Sequence, residues 1–347
     1  MMFKDKNVII TGGAGFIGSY LARKLISNGA NVTILDNFST GNIDNLKDIK
    51  DKIHIIRGDI KNYDVVLNAL SGQEIVVHEA FPYAKVSQSL EEQFIEDNFI
   101  GTFNILKASV YCNVERVVYA SSVAVYGQQQ YLPIDEEHPK NPRYPYCVSK
   151  YASEKLCSSF STSYGLTTVS LRYFNVYGPF YTNLDHSAVL TFCKRVIKDK
   201  PPLIYGTGDQ LRDYTYVEDV VDGTLKAMYK KIKPGDVFNI GSGKGVKIID
   251  LAKKIIDISG KDLMPKFADE SEYRYFDKTF PWGITDKVDG KYIDTRSFVA
   301  DISKARKILD YNPKTNLEDG LKITFDWVKN LKGFVKSQRL INSMQNT

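Results

Sequence analysis

The sequence predicts an α/β fold: a doubly wound parallel sheet, followed by a smaller, mainly C-terminal α/β lobe. Three observations carry this. Apolar runs of strand length alternate with amphipathic, helix-length stretches through the first half of the 347 residues. A glycine-rich turn joins the first such run to the first helical stretch. After Pro179 the simple alternation ends. Repeated βα units require parallel strands with helices covering both faces, so ligand groups gather at the carboxyl ends of the strands.

Taken in order, the predicted strands are 8–10, 32–35, 53–56, 75–78, 117–120 and 168–173, and the predicted helices lie near 17–28, 62–70, 91–112 and 147–163. Beyond Pro179 the pattern predicts a helix over 187–199, a turn at Lys200-Pro201-Pro202, and a short strand over 203–205. The run 212–217, a strand at 237–240 and a helix at 247–258 follow. The stretch 267–295 is aromatic and charged without periodicity and reads as a loop or insertion. Residues from Phe325 to Met344 read as a docked C-terminal helix whose solvated face carries Lys329, Lys332, Lys336 and Arg339. The expected division is 1–178 for the first domain and 179–330 for the second lobe, with the segment at about 215–240 crossing back and 331–347 as a tail.

Composition narrows the functions. At 43 % hydrophobic the chain buries a substantial core, and no run of eighteen apolar residues offers a membrane span. The charged lead argues against a secretory signal. The four cysteines (Cys112, Cys147, Cys157, Cys193) show no CxxC and read as reduced thiols of a cytoplasmic protein. A net charge of +5 suits an anionic small molecule or simple solubility, and no basic run interleaved with aromatics suggests nucleic acid. His54, His78, His138 and His186 lack metal-ligand spacing, so no metal site is expected.

The first βα unit carries Thr11-Gly12-Gly13-Ala14-Gly15-Phe16-Ile17-Gly18. Gly12 and Gly13 suit the tight turn, Gly15 a close backbone approach to a pyrophosphate, and Gly18 the contact of helix with strand. Phosphates would rest on amides at the positive end of the helix. Asp36 ends the second strand, where a carboxylate accepts both ribose hydroxyls of an adenosine and repels a 2′-phosphate. No Arg or Lys occurs in Asn37-Phe38-Ser39-Thr40-Gly41, so NAD is favoured over NADP.

Pro145-Tyr146-Cys147-Val148-Ser149-Lys150 opens the helix predicted near 147–163. Proline suits a first turn, and a spacing of four puts Tyr146 and Lys150 on one face. An ammonium close by and the positive helix end both favour the phenolate of a side chain that otherwise ionises near pH ~10. That pair suits removal of an alcohol proton, and Ser122, ending a strand, can hold the reacting oxygen.

With these residues in hand, the chain resembles the extended short-chain dehydrogenase/reductase family, in its NAD-dependent nucleotide-sugar epimerases and dehydratases, from about residue 5 to about 330. The resemblance rests on the turn 11–18, Asp36-Asn-Phe-Ser-Thr-Gly41, Gly58-Asp59-Ile60 and Asn98-Phe-Ile-Gly-Thr102. It continues through Ser121-Ser122-Val-Ala-Val-Tyr126-Gly127, Tyr146-x-x-x-Lys150, Arg172-Tyr-Phe-Asn175-Val-Tyr-Gly178-Pro179 and Arg212-Asp-Tyr-Thr-Tyr-Val217. It implies a Rossmann sheet with a substrate-binding lobe. Tyr146 resembles the base, Lys150 its partner on the nicotinamide ribose, and Ser122 the hydroxyl contact to the sugar. NAD would be held by Gly12, Gly15, Phe16, Ile17, Gly18, Asp36, Asn37, Ser39, Thr40 and Gly41. Asp59, Ile60, Ala80, Phe81, Asn98 and Tyr173 would hold it too, together with Tyr146 and Lys150. Asn175, Arg212 and Arg296 resemble the contacts to the sugar nucleotide's diphosphate, which two fork-shaped guanidinium groups suit. Leu203 and Tyr205 resemble the walls around its base.

Dehydratases of the family place Asp-Glu after the Ser/Thr, whereas Val123-Ala124 stand here and cannot move a proton, which disfavours a 4,6-dehydratase. The implied reaction is epimerisation at C4 of a nucleotide-diphosphate hexose: oxidation by bound NAD, rotation of the 4-keto sugar, and return of hydride to the other face. Bulky Phe298, at the position that gates the 2-substituent, favours UDP-glucose and UDP-galactose. The alternatives are an epimerase or 4-keto reductase for another sugar nucleotide (a UDP-uronate, an N-acetylated UDP-sugar or a GDP-sugar), or a non-catalytic NAD-binding protein. Two departures bear on recognition. His78-Glu79-Ala80-Phe81-Pro82-Tyr83 replaces the usual His-Leu-Ala-Ala, and 267–295 is longer than the usual linker. The resemblance also implies a homodimer through the helices at 91–112 and 147–163, with Phe94, Phe103, Leu106, Tyr151 and Leu156 as candidate contacts.

Overall fold

Strand β1 (Asn7–Thr11) starts the chain in the middle of a sheet and sends alternate side chains to opposite faces. Val8 and Ile10 join one buried cluster with Leu21, Ala22 and Leu25 of helix α1 (Phe16–Ser27). Ile9 points the other way, into a second cluster with Val66, Leu70 and Ile105. Such two-sided burial explains why the central strands are continuously apolar rather than alternating, as in Ile75-Val-Val-His78, where all four residues are buried. The computed structural model describes residues 2–81, 92, 94–180, 187–268, 286–288, 291–293 and 296–331.

The strands that follow are β2 (Asn31–Asp36), β3 (Ile53–Arg57), β4 (Ile75–His78), β5 (Arg116–Ser122) and β6 (Thr167–Tyr173). Helix α2 (Tyr63–Leu70) precedes β4, and helix α3 (Gly101–Tyr111) precedes β5. Helix α4 (Pro145–Tyr164) begins with proline in its first turn and stops at Gly165, whose φ of 72° ends the helix. Every pairing in the seven-stranded sheet is parallel, in the order β10 (Asp236–Ile240), β6, β5, β4, β1, β2, β3. The winding reverses between β1 and β4, and that switch point opens a crevice at the carboxyl ends of the strands.

The seventh strand, β10 (Asp236–Ile240), pairs with β6 only after the chain has left for the second lobe. Within that lobe β7 (Asn175–Tyr177), β9 (Leu211–Tyr216) and β11 (Gly245–Lys247) form a three-stranded sheet, and β8 (Leu203–Ile204) pairs with β12 (Lys266–Phe267). Helix α5 (Ala188–Ile197) packs against α7 (Ile248–Ser259) and α9 (Leu317–Asn330). The first cluster runs on through Val189, Phe192, Leu251, Ile255, Leu321 and Phe325, so the second lobe shares the core of the first.

Several expectations change in detail. The predicted helix over 91–112 is π-helical from Phe94 to Ile100 before α3 begins at Gly101. A side chain at Gly101 would lie 2.5 Å from Ile60 Cδ1, so glycine is what lets Ile60 pack against the start of α3. Phe94 and Leu106, expected at a subunit interface, are 2 % and 0 % exposed and belong to the protomer's own interior. Helix α6 (Val217–Tyr229), which lies against α1 and β5, and helix α8 (Ser303–Leu309) had no separate expectation. The stretch 267–295 is not all loop, because β13 (Asp286–Val288) and β14 (Lys291–Ile293) pair antiparallel within it. The terminal helix starts at Leu317, earlier than expected, where Asn316 caps it by accepting from Asp319 N. Pro82, Tyr83, His186 and the end of the predicted C-terminal helix lie outside the described residues. Among the described residues no helix is long and apolar enough to cross a membrane. The four cysteines are unpaired, three of them buried.

Candidate active site

The site begins at the turn after β1. Gly12 has φ +70°, and a side chain there would lie 2.7 Å from Ala80 Cα, so the turn sits against the strand end that continues β4. At Gly18 a Cβ would lie 2.5 Å from Gly12 O, so only glycine lets α1 start this close to the turn. Gly15 differs: an added Cβ meets only Gly12 O, at 3.1 Å, and the backbone is otherwise open. Gly15 is also the N-cap of α1 and puts no side chain over its first amides, those of Phe16 and Ile17. A diphosphate fits against such a surface.

Asp36, at the end of β2, lies beside this turn. Its carboxylate accepts from Ala14 N at 2.9 Å and Phe38 N at 2.8 Å, which leaves a lone pair on each oxygen for a pair of hydroxyls. Burial raises its pKa while the two amides lower it. The loop 37–41 folds over it: a Cβ at Gly41 would lie 2.9 Å from both carboxylate oxygens, Ser39 N donates to Asn37 Oδ1, and half-buried Thr40 lies between. Asn37 Nδ2 donates to Asp59 Oδ2 at 3.2 Å, joining the ends of β2 and β3. Buried Ile60 follows, its carbonyl taken by Asn104 Nδ2 at 3.0 Å.

At the other end of the crevice stand the groups suited to proton transfer. Tyr146 is half-buried on the first turn of α4, with its ring between those of Phe81 (centroids 5.1 Å apart) and Phe94 (5.6 Å). Lys150, 4 % exposed, donates from Nζ to Ala120 O at 2.8 Å, and its ammonium lies 5.2 Å from the Phe81 ring and 5.1 Å from that of Tyr119. Burial pushes the Lys150 pKa down to about 8 against the opposing pull of Glu79 and Glu154. Ser122 ends β5 and accepts from Ala124 N at 3.2 Å, so its own hydroxyl proton remains to donate. Asn98, in the π-helical turn, donates to Ser149 Oγ at 2.9 Å, and its Oδ1 is buried without a hydrogen-bond partner. That orphaned acceptor, beside the helix that carries Lys150, is a further place for a polar group of the cofactor.

The second lobe supplies the remaining side. Phe298 pairs through its backbone with Arg212, and its ring lies 5.3 Å from the Arg212 guanidinium and 5.7 Å from that of Arg296. Burial raises the Cys147 thiol pKa on helix α4, and the Arg296 charge pulls it down by less. Asn175 Nδ2 donates to Asp213 O at 3.3 Å, beside Arg212. Tyr173 is paired with Ser122 in register. Leu203 sits in the β8–β12 pair and the Tyr205 carbonyl accepts from Gln210, so these two belong to the second lobe.

Three groups that sequence reasoning did not single out hold this arrangement. Glu154 and Arg172, both 3 % exposed, form a buried ion pair under the site, and Ser121 Oγ also donates to Glu154. The signal was the spacing of four between Lys150 and Glu154. His78 bridges Thr11 Oγ1 (2.7 Å) and Thr102 Oγ1 (3.0 Å), and burial holds its pKa down at about 3, so it is neutral. Asp213 accepts from the backbones of Ser242, Gly243 and Ala300, fixing the strand on which Arg212 lies.

Comparison with known proteins defines the family. Residues 8–241 match the model of the NAD dependent epimerase/dehydratase family. A putative UDP-glucose 4-epimerase of Methanocaldococcus jannaschii is 35 % identical over 93 % of this chain and 98 % of its own. The crystal structure of UDP-glucose 4-epimerase from Thermotoga maritima with UDP-glucose superposes with a TM-score of 0.80 at 32 % identity, covering 92 % of this chain and 98 % of that one. UDP-N-acetylglucosamine 4-epimerase of Methanobrevibacter ruminantium, in complex with UDP-N-acetylmuramic acid, gives 0.80 at 31 %, covering 94 % and 98 %. The chain therefore belongs to the NAD dependent epimerase/dehydratase family, as an NAD-dependent nucleotide-sugar epimerase.

Proposed function

We propose that the protein interconverts UDP-glucose and UDP-galactose by inversion at C4. The observation that carries this reading is the composition of the reacting end. Lys150 is anchored to Ala120 O, two residues before Ser122, and Tyr146 lies one turn before Lys150 on α4, while Val123-Ala124, next to Ser122, offer no second acid or base for eliminating water. NAD, held by the Gly12–Gly18 turn, Asp36 and Lys150, supplies when bound the oxidation and re-reduction of the sugar carbon. The protein's residues manage the proton and the grip. Tyr146 as phenolate takes the proton of the 4-hydroxyl, and Lys150, one turn on and tethered to Ala120 O, stabilises that phenolate. Ser122 donates to the same oxygen. Arg212 and Arg296 clamp the diphosphate while the 4-keto hexose turns over, and Tyr146 then returns its proton. Bulky, buried Phe298, with both guanidinium groups near its ring, supports a plain hexose over an N-acetylated one.

We also propose a cytoplasmic homodimer. The unpaired thiols support that compartment. Ile95, Ile100, Phe103 and Val148, each at least 40 % exposed on the 94–111 and 145–164 helices, support a two-fold contact, to which half-buried Tyr151 and Leu156 would add. Light scattering at micromolar concentration should give twice the chain mass.

The test of function is a panel of UDP-, GDP-, dTDP- and CDP-sugars incubated with the protein as purified and followed by proton NMR of the anomeric signals. UDP-glucose should convert to UDP-galactose without added cofactor. Conversion only of a uronate or N-acetylated sugar would overturn the substrate assignment, and a requirement for stoichiometric reduced cofactor would identify a reductase.

A further inference from the structure

Glu79 directly follows the carboxyl end of β4, in the segment His78-Glu79-Ala80-Phe81. His78, its neighbour, pairs with Tyr119, so Glu79 extends over the end of β5 at the level of Ala120, the residue whose carbonyl holds Lys150. From there its carboxylate crosses to β6 and accepts from Tyr173 OH at 2.8 Å. Tyr173 OH is also 2.8 Å from Thr224 Oγ1 of helix α6, whose single hydroxyl hydrogen can go either to Tyr173 OH or to Val220 O. Phe81, two residues beyond Glu79, packs on Tyr146 and lies under the Lys150 ammonium. The carboxylate, the ammonium and the phenol thus share one end of the sheet, with an aromatic wall beside them.

We propose that Glu79 is a positioning residue that supplies the counter-charge of Lys150, and through it governs how readily Tyr146 holds its proton. The proposal rests on the assignment of Tyr146 as base. Two anions compete for one cation here: a carboxylate near Lys150 keeps the lysine protonated and makes a phenolate beside it harder to form. The other groups that act on this balance are Tyr173 on β6, His78 on β4, and Glu154 and Cys157 further along α4. His78 is neutral, and Glu154 is already engaged by Arg172. Burial pushes the Glu79 carboxyl up to about 7, against the Tyr173 hydrogen bond and the Lys150 charge, so its ionisation falls in the working range.

The test is the pH dependence of kcat in wild type, Glu79→Leu, Glu79→Gln and Glu79→Asp. Leucine is apolar and of similar size, and glutamine keeps the shape, so one folded variant of the two is enough. Removing the carboxylate lets Lys150 lose its proton at lower pH and Tyr146 ionise at lower pH. The whole profile should then move to lower pH by about one unit, and Glu79→Asp should restore it. A merely structural role would lower the rate without moving the profile, and profiles that superimpose on wild type would overturn the proposal. Infrared titration of the carboxyl stretch provides a readout independent of turnover. A band titrating near neutrality in wild type and missing from Glu79→Gln is expected, and identical titrations would overturn it. A wild type inactive on every sugar would instead refute the proposed function, leaving the infrared result to decide on Glu79.

Discussion

Replacing Glu154 with alanine should destabilise the protein more than any single change at the surface. Glu154 Oε1 accepts from Arg172 Nε at 2.9 Å and Oε2 from Nη2 at 2.8 Å, in a pair only 3 % exposed on each side. Removing the carboxylate leaves a buried guanidinium whose charge nothing balances, at a cost of about 3–5 kcal/mol. For a chain of this size that corresponds to a fall in Tm on the order of 10 °C. Removing both charges should be far milder. Tyr126 OH, which Arg172 contacts at 2.8 Å, still donates to Asn239 Oδ1, and the Glu136 carbonyl still accepts from Lys140. Glu154→Leu combined with Arg172→Met should therefore recover most of the loss, to within about 1–2 kcal/mol of wild type. Urea unfolding of the three proteins at matched NAD content measures this, since bound cofactor adds stability of its own. A single variant within about 1 kcal/mol of wild type, or a double variant no better than the single, would refute the reasoning.

Three further outcomes follow from the geometry. Tyr146→Phe removes one hydroxyl without opening a cavity, so it should fold, retain NAD and turn over about 10²–10⁴-fold more slowly; unchanged turnover in the NMR assay would remove Tyr146 as the base. Asp36→Ala should lose NAD on gel filtration, with binding weakened by about 1–3 kcal/mol, and should also melt lower because Ala14 N and Phe38 N lose their acceptor; full NAD content would contradict this. His78 titrates near 6.5 in the unfolded chain and near 3 when folded, so its share of stability is present above pH 6.5 and lost as the pH falls toward 3; His78→Gln should flatten urea-measured stability over that window.

How far the sequence could be read depended on the range over which each pattern acts. The first βα unit was legible because strand, turn and helix are consecutive, and Gly18 meets the turn just before it. Tyr146 and Lys150 were legible because a spacing of four is enough to share a helix face. The six long strands announced themselves by their apolar runs. Two- and three-residue strands such as Lys266–Phe267 and Asn175–Tyr177 carry too few residues to show a period. Phe94 and Leu106 are apolar, and their side-chain chemistry does not distinguish a subunit contact from the protomer's own interior, where both lie. The Asn98–Ser149 bond, the His78 bridge and the Glu79–Tyr173 bond join residues 51, 24 and 94 positions apart, which no local pattern reveals.

The central claim is that the hydrogen on C4 leaves and returns to the same carbon while Tyr146 handles only the hydroxyl proton. UDP-glucose carrying deuterium at C4, incubated with the protein in ordinary water, tests it most directly. The account predicts UDP-galactose with the deuterium still on C4. Loss of the label to water at the rate of epimerisation would contradict it, because the carbon-bound hydrogen would then have left as a proton.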